Sequence, residues 1–127
     1  MASPVKASLK KFIKSCSFAI SGIYQAFQTE RNLRIELCIG LLTIGAGFYF
    51  QITLGEWLAV LLASGLVLSA ELFNSAIETV VDLVAQGQEL PLAKRAKDIA
   101  AGAVLLAALT AALIGLIIFI PYMKLLI

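Results

Sequence analysis

The sequence predicts an all-α integral membrane protein, with an N-terminal amphipathic surface helix followed by three transmembrane helices. Three observations carry that prediction. Of 127 residues, 61% are hydrophobic and only 14% charged, against roughly 45–50% and about 25% in a soluble domain. A chain this short has too much surface to hide such apolar content in one water-facing core, so lipid is the remaining solvent. Three apolar runs each reach the roughly 17–25 residues that a helix needs to cross hydrocarbon. Finally, Lys and Arg number six up to Arg34, none in the first link, three in the second and one in the tail. That asymmetry puts the N-terminus and second link in the cytoplasm and the C-terminus outside.

The first element is a helix over residues 6–28. Leu9, Phe12, Ile13, Cys16, Ile20, Ile23 and Phe27 recur at spacings of three and four and form one apolar stripe, with Lys10, Lys14 and Gln25 beside it. Such a helix lies in the membrane interface. The spans follow at about 35–52, 57–81 and 99–120. Residues 51–56 form the first link, residues 83–98 the second, and Pro121 is expected to end the third span. In that span Ala107, Ala111 and Gly115 make a small-xxx-small ladder suited to close helix packing. Three helices cannot screen a polar site from lipid on every side, so a homo-oligomer is expected.

Several classes fall away. A net charge of +2 without basic–aromatic interleaving gives no footing for nucleic acid. The chain has no His, which excludes imidazole catalysis and His-ligated metals. Cys16 and Cys38 lack metal-ligand spacing and read as small hydrophobes. The first long apolar run begins only near Ile35, too late for a cleavable leader, and neither end carries a lipidation signal.

The informative stretch is ELFNSAIETVVD, residues 71–82. Only 8 residues of the chain are acidic, and three of them fall here. At about 100° per residue Glu71, Asn74, Glu78 and Asp82 share one helix face with Ser75, a stripe about 16 Å long. A carboxylate at membrane depth costs on the order of 2.5–3.5 kcal/mol, so aligned acids mark a shared polar site. Glu30, Arg34 and Glu36 can reach it from one side, and Lys94, Arg95, Lys97 and Asp98 from the other. Carboxylates suit Mg²⁺, lysines suit phosphates, and a carboxylate free of metal suits general base work. The combination points to phosphoryl transfer, although no GxxxxGK[ST], GxGxxG, HRD or DFG pattern is present. The residues alone leave proton-coupled transport equally open.

ELFNSAIETVVD followed by LAKRAKDIAAGAV resembles the prokaryotic diacylglycerol kinase family. The pattern E-x-x-N-x-A-I-E-x-x-V-D plus A-K-D-x-x-x-x-A-V is long and fixed in spacing, and SGIYQAFQTERNLRIE and LIGLIIFIP extend it over nearly the whole chain. TERNLRIE, LAKRAKD and the tail look more like the Gram-positive branch, whose lipid substrate is undecaprenol. The resemblance implies one kinase domain over 1–127 in a bacterial plasma membrane, assembled as a homotrimeric bundle with composite sites between subunits. It implies ATP as donor, Mg²⁺ as cofactor, and undecaprenol, or else diacylglycerol, as acceptor. Carried over by position, Glu71 matches the general base and Asn74 a residue that orients it. Glu30 and Glu78 match the metal-holding carboxylates. Lys97 and Asp98 match the pair that contacts ATP, while Lys14 and Phe18 match ATP-side positions on the surface helix. Where the family commonly carries an acidic-Tyr-His triplet against the nucleotide, this chain has Gln86, Gly87 and Gln88, whose main chain remains able to contact ATP. Glu36 stands where Gram-positive relatives often have His.

Overall fold

A computed structural model describes residues 3–127; residues 1–2 of the expected 1–127 domain lie outside it. It is all-helical: α1 Pro4–Thr29, α2 Arg31–Phe50, α3 Leu54–Ala85 and α4 Pro91–Lys124. The last three are long and apolar enough to cross a membrane.

Each boundary has a local cause. The Ser3 hydroxyl accepts from the Lys6 amide at 3.3 Å, and Pro4 starts α1 with a φ already suited to a helix. One extended residue, Glu30 (φ −95°, ψ 111°), separates α1 from α2. At the far end of α2, Gln51 takes the left-handed conformation (φ 50°), and the Ile52 amide donates back to the Gly47 carbonyl at 3.2 Å. Thr53 and Glu56 then form a reciprocal capping box that starts α3.

The helices outrun the apolar runs. The first link shrinks to residues 51–53, because the capping box draws Glu56 into α3. The second link, expected over 83–98, shrinks to residues 86–90. It turns on two left-handed residues, Gln86 (φ 48°) and Gly87 (φ 79°), and Pro91 restarts the chain as the first residue of α4. The charged residues 94–98 are therefore helical. The expected stop at Pro121 does not occur, and α4 continues to Lys124. In the last turn proline forfeits only the bond to the Ile117 carbonyl, while its fixed φ remains helical.

α3 and α4 form the main pair, α2 packs on α3, and α1 touches the bundle least. At one end Ile52, Val60 and Ile118 make a buried cluster walled by Trp57, Phe119 and Tyr122. The Tyr122 hydroxyl donates to Glu56 at 2.7 Å and ties α4 to the start of α3. Ala100 and Ala107 are buried on α4, whereas Ala111 and Gly115 of the small-residue ladder line a groove shared with α2 and α3. Along α3 the buried line runs Val60, Ala63, Val67 and then Glu71. The seam is apolar for three steps and acidic at the fourth.

Candidate active site

Glu71 is the one buried charged residue among those described, with 3% of its surface exposed. Its helical register puts it there: Val60, Ala63, Val67 and Glu71 recur at spacings of three and four. The same spacing continues through Asn74 and Glu78, both half-buried, to Asp82, which is exposed. The polar stripe thus continues the helix's own packing seam and opens progressively towards the 86–90 turn.

Glu36, Glu30, Glu78 and the Asn32 side chain all lie near Glu71. The structure so brings three helix segments to one place: the α1–α2 joint through Glu30, the first turns of α2 through Asn32 and Glu36, and the middle of α3. Asn74 Nδ2 donates to Glu78 Oε1 at 3.1 Å. Its Oδ1 is buried with no partner, and an unsatisfied acceptor of this kind costs about 1–3 kcal/mol. That atom is ready to receive a donor the chain does not supply.

On the side towards the turn, Lys97 Nζ sits 2.5 Å from Asp82 Oδ1 and bridges α4 to α3. Asp98 pairs with Lys94 one helical turn away. The two residues expected to act together therefore have separate partners. Gln88 shares a surface depression with Asp82, Lys94, Lys97 and Asp98, while Gln86 is exposed at the left-handed turn. Lys14 and Phe18 contact each other, the ammonium 5.8 Å from the ring centroid. Both are exposed on α1, and Lys14 lies about 22 Å along that helix from its Glu30 end. Lys14 is in neither ion pair of the described residues.

Asn32 was not singled out as a site residue, although TERNLRIE carries it, whereas Arg34, expected to reach the site, bonds elsewhere. Arg34 Nη1 donates at 2.9 Å to the carbonyls of Phe27 and of Gln28, across the α1–α2 joint.

The donors gathered around Glu71 are carboxylate and amide oxygens, the set that Mg²⁺ takes. Among the described residues no three acidic or Cys side chains converge on one point. Such a site offers few protein ligands and leaves the remaining positions to phosphate oxygens and water, the usual habit of this ion, so the residues fit it. A buried carboxylate at Glu71, an amide at Asn74 and a cation at Lys97 are groups that can serve transfer of a charged group to an alcohol.

Residues 17–119 match the family described as "Prokaryotic diacylglycerol kinase". Among curated relatives, "Undecaprenol kinase" of Bacillus subtilis is 41% identical over 113 residues, 89% of this chain and 91% of the relative. "Diacylglycerol kinase" of Synechocystis is 41% identical over 107 residues, 84% of this chain and 61% of the relative. "Diacylglycerol kinase" of Pseudomonas aeruginosa is 32% identical over 103 residues, 80% and 83% of the two chains.

Proposed function

This chain belongs to the prokaryotic diacylglycerol kinase family and is a multi-pass membrane lipid kinase, and from that premise we propose that it moves the γ-phosphoryl group of ATP to undecaprenol. The observation that carries the reading is the buried Glu71 at the head of a stripe that opens towards cations. Undecaprenol is preferred because the Bacillus relative of that name matches 91% of its own length, against 61% for the Synechocystis diacylglycerol kinase of equal identity. Diacylglycerol is the second reading, since the other two relatives compared above are diacylglycerol kinases by name and both lipids present a primary hydroxyl.

In this mechanism the lipid hydroxyl points its one proton at Glu71 and lies beside Asn74, whose second Nδ2 hydrogen serves the hydroxyl oxygen. Glu71 takes the hydroxyl proton as the oxygen attacks the γ-phosphorus. The bond from that phosphorus to the β–γ bridging oxygen breaks, leaving ADP and a lipid phosphate. Asn74, held by its bond to Glu78, orients the hydroxyl. Lys97 turns from Asp82 towards the phosphates, where a fixed cation offsets negative charge. Asp98, Gln86 and Gln88 border the nucleotide. Glu30 and Glu78 would hold Mg²⁺, whose chemistry when bound is neutralisation of phosphate charge. Positioning and charge carry the acceleration, with no covalent intermediate on the protein.

The working form in this reading is a homotrimer in the bacterial plasma membrane, N-terminus cytoplasmic and C-terminus outside, with 1–127 as one kinase domain. Two features support it. Large apolar side chains on α1, including Leu9, Phe12, Ile13 and Ile23, are uncovered, as an interfacial helix requires. Lys14 and Phe18 are exposed and Lys14 is in neither ion pair of the described residues, which leaves both open to a site on a neighbouring chain.

The deciding experiment is a mixed-micelle assay with labelled ATP and each lipid in parallel. Label is expected in undecaprenyl phosphate at higher kcat/KM than in phosphatidic acid. The reverse order selects diacylglycerol, and label in neither lipid ends the reading.

A further inference from the structure

A single residue, Glu30, separates α1 from α2. Its amide donates to the Ala26 carbonyl at 2.8 Å, and its own carbonyl receives the Arg34 amide at 3.4 Å. The last carbonyls of a helix have no partner within it. Here Thr29 Oγ1 donates to the Gln25 carbonyl at 3.1 Å, and the carbonyls of Phe27 and Gln28 both receive Arg34 Nη1 at 2.9 Å. The side chain of Arg34 thus reaches backward from α2 over the joint and grips the end of α1. A cation there also meets the negative end of the helix dipole. Leu33, one residue before it, is buried at 5% exposure and seats the start of α2.

The partners Arg34 lacks are as telling. Two ion pairs occur among the described residues, Lys94–Asp98 and Lys97–Asp82. Arg34 forms no ion pair with Glu30 or Glu36, its sequence neighbours, and its side-chain hydrogen bonds are to main chain. Glu30 meanwhile lines a groove between α1 and α3 with Thr29, Ser75 and Thr79. Without the grip, the φ and ψ of Glu30 alone would set the direction of a 26-residue helix, about 39 Å of lever, and the direction of its own carboxylate.

We propose that Arg34 is a positioning residue: it locks the α1–α2 elbow and so presents the Glu30 carboxylate, unneutralised, to the acids of α3. This rests on the assignment of Glu30 to the metal-nucleotide side of the site. Residues that orient a metal-holding group without touching the metal are worth roughly 10–100-fold in affinity or activity.

The chain carries its own reporters, since Cys16 on α1 and Cys38 on α2 are free and exposed on either side of the elbow. Spin labels on both, in chains diluted with an excess of unlabelled Cys16→Ser/Cys38→Ser protein, give the elbow distance by electron resonance. Arg34→Ala is expected to broaden that distance and to raise the Mg²⁺ needed for half-maximal activity roughly tenfold or more. Arg34→Lys, which keeps charge and donors, should stay near the parent in both. Arg34→Ala combined with Glu30→Gln should cost no more than Glu30→Gln alone. An unchanged distance overturns the proposal, as does a broadened distance with an unchanged Mg²⁺ requirement. If Arg34→Ala does not fold, Arg34→Gln, which lacks the charge and the reach to both carbonyls, is read by the same criteria. Should Glu30→Gln itself leave the Mg²⁺ requirement unchanged, the role of Glu30 fails, and the distance still decides whether Arg34 locks the elbow.

Discussion

Burial falls along four polar residues of one helix face, from Glu71 through Asn74 and Glu78 to Asp82, and that gradient sorts their chemistry. At 1.5 Å per residue Glu71 lies about 21 Å beyond Trp57 along α3 and Asp82 about 37 Å, while hydrocarbon is about 30 Å deep. With Trp57 taken as one edge of that layer, Glu71 falls within it and Asp82 past it. Glu71→Gln keeps shape and removes only the base, so turnover should drop by roughly 10²–10⁴-fold. Equilibrium binding of labelled ATP should be nearly unchanged, and a variant that still turns over normally would rule Glu71 out as the base. Glu78→Gln acts elsewhere: Asn74 loses a charged partner, and the Mg²⁺ requirement should rise, as a magnesium titration of activity will read. Lys97→Met should lower kcat/KM for ATP far more than Lys94→Met. Lys94 is tied to Asp98 within its own helix, whereas Lys97 is the cation that reaches α3. Equal losses from the two substitutions would remove the distinction.

Among the elements, the α2–α3 turn shows how closely the backbone is fitted. A Cβ at Gly47 would meet the Trp57 ring at 2.8 Å and the Ile52 side chain at 3.1 Å. Gly47→Ala should therefore push the aromatic ring off its seat at a cost of about 1–3 kcal/mol. Thermal unfolding in detergent should show the loss, with KM for ATP unmoved, because the turn lies at the end away from the acids. Four helices, three of them long and apolar, were legible because composition and periodicity report burial directly. Their ends were less so. Residues 94–98 read as part of the second link and Pro121 as a stop, but a proline at the first helical position starts α4, and a proline in its last turn loses one bond. The acidic stripe was legible because residues within one helix keep a fixed angular relation. That it prolongs the apolar line of Val60, Ala63 and Val67 needed the packing. Asn32 beside Glu71 and Arg34 across the elbow depend on how α2 docks on α3, and spacing within one segment carries no record of that.

At the scale of the whole molecule, most of the large apolar side chains on α2, α3 and α4 are uncovered, Leu41, Leu42, Leu62, Phe73 and Leu106 among them. Lipid can cover them, and so can a neighbouring copy of the chain. The trimeric reading makes a direct forecast. Amine cross-linking in a mild detergent should give a three-chain product, and mixing inactive Glu71→Gln chains with inactive Lys14→Met chains should restore part of the activity. If the mixture stays inactive while the three-chain product forms, both residues serve one site within one chain.

Every aromatic–aromatic contact among the described residues, from Phe48–Trp57 to Phe50–Tyr122, lies at the end where Glu56 holds Tyr122. The bundle is clamped there by rings, and at the other end by small residues, the exposed Lys97–Asp82 pair and a five-residue turn. Amide hydrogens around Val60 and Ile118 should accordingly outlast those around Ala85 and Pro91 in heavy water. A ligand that enters at the soft end bends the prongs without disturbing the handle.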